Sequence, residues 1–366
     1  MLPINRFPYL SKTMSRIIRI FLLMFFVLFG SQNVFSQSHS KPLDLGSLIQ
    51  RVEEINIFRD STYFNWGSSI VKGADNLYHL FYSRWKRSSG FGAWLTNSEI
   101  AHAVSKNPAG PYKYVATAMT GRGGNSWDAV TAHNPKIKFF EGKYYLYYIA
   151  TNLGDVVLSP LELLELAGKD LKNEKRNALR RNQRTGVAVS NSLNGPWERL
   201  DTPLIEPSGP ITTLTVNPAI TQGPDKRYYL IIKGDKPNET QFIRNQAMAI
   251  ADSPAGPFTI QPKPVIGDLD TEDVSLWYSP TDKLFYAIFH AHTYIGLISS
   301  ADGINWQKAK NDRVTDRNIK FANGTSMMAD RMERPFVFLE ANNPKVLCLS
   351  IKKGNDTFIV LVPLVK

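Results

Sequence analysis

"NSLNGPWERL", Asn191 to Leu200, is one of four near-copies of the same phrase in this chain. "NPAGPYKYV" starts at Asn107, "SPAGPFTIQ" at Ser253 and "SADGINWQKA" at Ser300. Each has a small or polar turn, a Gly, an aromatic residue and then alternating residues. Each follows a short apolar run: "IAHAVS", "GVAVS", "AMAIA" and "GLISS". One such phrase is an ordinary hairpin. Four of them mark a repeated unit, whose period decides the fold.

Upstream of the hairpins lie runs of strand length, rich in aromatic and β-branched residues. They are "LYHLFYSRW" from Leu77, "KYYLYYIAT" from Lys143, "RYYLIIKGD" from Arg227, "LFYAIFHAH" from Leu284 and "KVLCLSIKK" from Lys345. Before each stands a third phrase: "WGSSIVKG", "HNPKIKFF", "VNPAITQG", "EDVSLWYS" and "ERPFVFLE". Turn residues such as "GADN", "EGK" and "GPDK" separate the two. Strand, turn, strand, loop, strand, turn, strand therefore recurs five times, the last copy degenerate. There "DTFIVLVPLV" supplies a third strand, and the segment near "INIFRDSTYF" is expected to supply the outer one. Four-stranded antiparallel units repeated about a centre make a β-propeller. The expected fold class is all-β, a five-bladed β-propeller with a short helical insertion. A β-sandwich would not produce five parallel triplets. "NGPWERL" is then the hairpin between the third and outer strands of a blade, with a structural role.

The start of the chain reads differently. "MSRIIRIFLLMFFVLFGSQNVFSQS" places Arg16 and Arg19 before an apolar run, Ile20 to Phe29, followed by small and polar residues. That is the layout of a secretory signal peptide, assigned to residues 1–36, and the run is short for a membrane span. Residues 37–366 form a single propeller domain, and the protein is expected to be secreted or periplasmic in a bacterial envelope. The single cysteine, Cys348, lies in the apolar "KVLCLSI" and excludes an internal disulfide framework.

The formal charge is +11. Residues 1–36 carry Arg6, Lys12, Arg16 and Arg19 and no acid, which leaves +7 for the rest. Such a balance favours anionic partners. Much of the excess sits in "KDLKNEKRNALRRNQR", Lys169 to Arg184, read with "SPLELLELAG" as a helical insertion over about 153–183 that decorates one side. No nucleic-acid motif occurs, no G-x-S-x-G marks a serine nucleophile, and "GRGGN" at Gly121 lacks the strand-loop-helix context of a phosphate cradle.

In a propeller the starts of the first strands and the ends of the second strands open on one face, so chemistry is expected there. The five starts are Trp66-Gly67, His133-Asn134, Val216-Asn217, Glu272-Asp273 and Glu333-Arg334. Charged groups at a crowded axis are costly unless paired or used. A salt-bridged ring that fixes blade packing is one reading, and a pocket with paired carboxylates is the other. The ends of the second strands add Arg84, Trp85, Lys233, Asp235, His290 and His292, and the loop before blade two adds Trp127 and Asp128. Glycoside cleavage needs one carboxyl kept protonated and a second group as base or nucleophile. Glu272 beside Asp273 could raise an acid's pKa by crowding, although strand neighbours point to opposite faces. Trp66, Trp85 and Trp127 could stack on sugar rings. His290 and His292 share a strand face, and His133 could join them around a divalent cation in the central channel. No metal site is assigned, and no cofactor is expected.

Five blades with "NPKI" and "NPAI" first strands, "KYYLYY" second strands and "GP-aromatic" hairpins resemble the five-bladed glycoside hydrolases of family 43 and its relatives in families 32, 62, 68 and 117. The resemblance covers nearly all of residues 37–366. Family 43 implies an aspartate base at blade one and a pKa-tuning aspartate at blade two. This sequence has Trp66-Gly67 and Asn134 at those places. The "FYSRW" and "HNP" phrases are closer to family 117, the anhydrogalactosidases, whose histidine acid would correspond to His292 or His290 in "FHAHTYIG". The expectation is an exo-acting glycoside hydrolase on an algal or plant oligosaccharide, and the basic rim of Arg84, Lys233 and Arg334 would suit an anionic one. Asp128 is the expected base, with Glu272, Asp273 and Glu333 as the pocket carboxylates and His292 as the alternative acid. His133, Asn134, Asn217 and Arg334 are expected to hold the sugar. Two readings stay open: a polysaccharide lyase acting on uronates, and a carbohydrate-binding propeller without catalysis.

Overall fold

The computed structural model describes residues 42–154, 156–239 and 242–365, so the expected signal segment lies outside the described residues. Five four-stranded antiparallel sheets follow one another along the chain. Their innermost strands are the five third phrases: Tyr63–Lys72, His133–Phe140, Thr212–Gln222, Glu272–Ser279 and Arg331–Glu340. The fold is the five-bladed propeller expected from the repeat. Blade five is completed as anticipated. Ile57–Phe58 pairs antiparallel with Asp356–Pro363, with Ile57 opposite Val360 and Phe58 opposite Ile359.

The apolar phrases fold this way because every blade is covered on both faces. Five apolar clusters fill the five spaces between neighbouring blades. Tyr82 of blade one packs with Phe338 and Cys348 of blade five, and Leu146 of blade two packs with Phe81 of blade one. Each such side chain contributes about 1.5–3 kcal/mol on burial. The hairpin glycines Gly110, Gly195 and Gly256 have φ of 98, 80 and 83°, and each precedes a cis proline. Side chains other than Gly rarely adopt this conformation, so the repeated "GP-aromatic" phrase records a backbone requirement.

Between the second and third strands of blade two the chain forms the helices Pro160–Ala167 and Glu174–Arg181. Ser159 and Glu162 cap the first reciprocally, and the Asn173 side chain caps the second.

Blade one buries a histidine pair. His102 stacks on Phe81, with ring centroids 4.6 Å apart, and its Nε2 lies 2.8 Å from His79 Nδ1. His79 Nε2 meets Asp75 at 3.1 Å. Burial, then the neighbouring His79, pushes His102 down to about 4. The unfolded chain binds this proton near pH 6.5, and the folded chain does not until about pH 4. Stability is therefore whole above pH 6.5 and falls as the pH drops towards 4, by about 3 kcal/mol for this group. Urea unfolding at pH 7 and 4.5 is expected to show the loss, and His102→Phe, which keeps the stack, is expected to flatten it.

Candidate active site

The second residue of each first-strand start adopts the left-handed conformation. Gly67, Asn134, Asn217, Asp273 and Arg334 have φ of 44, 50, 56, 65 and 57°. Each lies at a break in the pairing register of its strand. Gly, Asn and Asp are the residues that tolerate this region best, whereas Arg334 is held there at a cost of about 1–3 kcal/mol. The repeated bulge aims the four side chains across the axis. Asn217 Nδ2 donates to Asp273 Oδ1 at 2.7 Å, Arg334 donates to the same oxygen, and the Asn134 amide lies 3.0 Å from Asn217 Oδ1 and 2.7 Å from Arg334. The ring closes because blade one contributes no side chain. A Cβ on Gly67 would stand 2.6 Å from the Asn134 amide oxygen. Gly67→Ala is expected to lower stability by about 1–3 kcal/mol and to disturb the ring, read as a lower urea midpoint.

Above this floor lies a cavity of about 400 Å³, lined by the first residues of four starts: Trp66, His133, Glu272 and Glu333. In blade three the corresponding Val216 is buried, and Leu214 lines the wall. Glu272 Oε2 accepts from Lys233 at 2.7 Å and faces Arg244 Nε at 3.3 Å. Burial opposes its charge, but Lys233, Arg244 and Arg334 together hold its carboxyl well below the usual range. Asp273 is shifted the other way. Its burial and the Glu272 charge outweigh the Arg334 guanidinium and raise it. Glu333 is buried and accepts from Arg331 at 2.6 Å. His133 is held neutral by burial and by Arg334; its Nδ1 lies 2.7 Å from Ser98 Oγ, and its ring lies against Trp85 and Trp94.

Glu272, Asp273 and His290 could hold a metal, since one ligand atom from each lies within 4.8 Å of the others. Asp273 Oδ2 stands 3.7 Å from His290 Nδ1, and neither atom has a hydrogen-bond partner among the described residues. Yet Lys233, Arg244 and Arg334 already neutralise both carboxylates. A divalent ion would have to displace these cations or sit beside them, and the fit is poor.

The structure gathers Trp66, His133, Lys233, Glu272, Glu333 and Arg334 around the cavity and places Asn134, Asn217 and Asp273 in its floor. Both members of the Glu272-Asp273 pair act at this end of the axis, because the bulge breaks the strict alternation of the strand. Asp235 stands behind the wall, bound twice by Arg180 at 2.6 and 3.0 Å. Four expectations are corrected. Asp128 is not a cavity residue. Its fully buried carboxylate is held by Arg122 at 2.5 Å, Arg199 at 3.2 Å and Tyr148 at 2.9 Å, out of a substrate's reach. Trp127 stacks on Tyr148 and bonds the Leu200 carbonyl. Arg84 is buried between the rings of Tyr63 and Tyr114 and paired with Glu99. His292 is exposed and bonded to Asp270, outside the cavity wall.

Sequence reasoning missed Arg244, Arg331, Phe91 and Trp94, which line the cavity from strand starts and a loop that the alignment did not cover. It also set the helical insertion to one side. In the structure that segment supplies Lys169, Asp170, Leu171, Arg176 and Arg180 to the cavity wall. Arg176 is buried and donates to the carbonyls of Leu166 and Gly92.

No protein-family model matches this sequence, and no curated protein matches it. Solved structures do. An endo-arabinase from Bacteroides thetaiotaomicron superposes with a TM-score of 0.56 at 14% identity, over 86% of this chain and 98% of that one. A family 117 glycoside hydrolase from the marine bacterium Zobellia galactanivorans gives 0.56 at 17%, over 87% and 90%. This chain has the fold of the family 43 and family 117 propellers. A GH43_1 enzyme from Xanthomonas citri, solved with xylotriose, gives 0.53 at 13%, over 85% and 90%. At these identities the likeness is one of fold, and the chemistry rests on the cavity.

Proposed function

We propose that the protein is a glycoside hydrolase that removes a terminal sugar from an oligosaccharide with anionic groups. The observation that supports this most is the meeting of Glu272 and Glu333 at one cavity of about 400 Å³, beside the indole rings of Trp66, Trp85 and Trp94. A pocket of this size with aromatic walls and a few convergent polar groups suits a small ligand. In this scheme Glu333 takes up a proton in place of its bond from Arg331 and passes it to the glycosidic oxygen as the bond to the anomeric carbon breaks. Glu272, kept ionised by its cations, takes a proton from the water whose oxygen attacks that carbon. Asp273 and the ring beneath it hold Arg334 and the cavity floor in place. The anionic preference follows from Arg176, whose hydrogen bonds go to carbonyls alone, and from Lys169, which has no ion pair among the described residues. Either could meet a substrate carboxylate or sulfate. The leader-like start supports export to the periplasm or beyond.

The test is a product screen. The purified protein is incubated with agar, carrageenan, ulvan, arabinan and xylan oligosaccharides, and products are identified by mass. Release of a monosaccharide from one class is the expected result. An unsaturated product absorbing in the near ultraviolet would replace hydrolysis with a lyase reaction. Binding without turnover would make this a carbohydrate-binding propeller, and the bare Gly67 at blade one is the feature that favours that second reading.

A further inference from the structure

Beyond the ring from the cavity, the first strand of blade two carries Lys136 and Lys138. They are two residues apart and share a face. Both ammonium groups lie over the Phe336 ring of blade five, 5.3 and 5.9 Å from its centre. Lys136 is 6% exposed and Lys138 is half-buried. Among the described residues neither forms an ion pair or donates a hydrogen bond. Lysine is almost never buried unless paired, and here two unpaired ammonium groups adjoin each other.

The groups facing Lys136 do not supply the missing charge. Asp273 is already bound by Arg334 and Asn217, and Arg334 is itself a cation. Cys348 is neutral, because burial pushes its thiol up to about 12. Burial brings Lys136 and Lys138 down only to about 8, so both stay charged at neutral pH. The Ser68 hydroxyl is 1% exposed and sits against the Cys348 thiol. The Phe336 ring offsets only part of the desolvation of these two cations.

We propose that the central channel binds a small inorganic anion, chloride or an oxyanion such as phosphate, between Lys136 and Lys138. The anion neutralises the pair and ties blade two to blade five through Phe336. Its role is structural and independent of catalysis in the cavity.

The experiment follows thermal unfolding of the whole protein in gluconate buffer at constant ionic strength, with chloride, phosphate or sulfate titrated in. A saturable rise in Tm with one of these anions is expected, and the preferred anion identifies the ligand. Lys136→Met/Lys138→Met is expected to abolish the rise, and its Tm without the anion is expected to match or exceed that of the unsubstituted protein, because two unpaired charges are gone. Lys138→Gln, at the more exposed position, is expected to raise the half-saturating concentration by about ten-fold or more and keeps the test decisive if the double variant does not fold. Equal, non-saturating shifts with all three anions would overturn the proposal, as would an undiminished response in Lys138→Gln.

Discussion

Glu272→Gln is expected to lower kcat/KM by about 10³-fold on whichever oligosaccharide the protein cleaves, the span that loss of a positioned general base produces. Gln keeps the size of the side chain and can still accept from Lys233, so substrate binding should change little and the loss should fall on kcat. The same substitution strips the anion from Lys233 and from Arg244, although Arg244 keeps Asp270 at 2.8 Å. Breaking a buried pair leaves an uncompensated cation, and the expected cost is about 3 kcal/mol. The acid side of the pH profile gives a second readout. Glu272 is held well below the ordinary carboxylate range, against its burial, by Lys233, Arg244 and Arg334. Its stabilisation is therefore complete above its unfolded pKa, near 4.3, and is lost only as pH falls through the lower folded value. Asp273 has the opposite sign. Its raised pKa makes its charge a cost that grows as pH rises past the unfolded value. Activity that persists to pH 4 in the unsubstituted protein, with turnover removed in Glu272→Gln, is the joint expectation. Unchanged turnover in the variant would remove Glu272 from the mechanism.

How much of this was legible before the structure depends on range. The blades were legible because strand phrases, turns and hairpin glycines are local, and five-fold repetition multiplies a weak signal. The face of the propeller that carries the cavity was also legible, since topology alone brings the first-strand starts together. The left-handed ring was less so. Asn134, Asn217 and Asp273 are residues that favour that conformation, but Arg334 is not, and only the alignment of all five starts exposes the pattern. Taking Glu272 and Asp273 as strict strand neighbours missed the bulge that puts both at the axis. The helical insertion misled for another reason. Its basic residues read as a solvated surface, and only the packing of Arg176 against the carbonyls of Leu166 and Gly92 shows that they face the cavity. Such contacts join positions far apart in the chain, and no local pattern records them.

Asp128 shows how a functional reading and a structural one separate. A lone aspartate beside a tryptophan at the mouth of a blade has the composition of a catalytic site, yet its carboxylate is wholly enclosed. Arg122 meets one oxygen at 2.5 Å, while Arg199 and the Tyr148 hydroxyl meet the other at 3.2 and 2.9 Å. Arg122 also reaches the Leu200 carbonyl at 2.9 Å, so the loop before blade two is tied to the outer strand of that blade. Asp128→Asn would leave two guanidinium groups around a neutral amide. Arg199 would lose its counter-charge, while Arg122 would keep only the exposed Asp201 at 3.2 Å, and the expected penalty is about 3–5 kcal/mol, measured as a lower urea midpoint. Turnover per folded molecule should be unchanged, because nothing in this cluster lines the cavity. A base would behave in the reverse way, losing turnover by orders of magnitude with a modest change in stability. Measuring kcat and the unfolding midpoint on the same preparation separates the two. A kcat that collapses while the midpoint holds would return Asp128 to the reacting groups and require the cavity to open towards it when substrate binds.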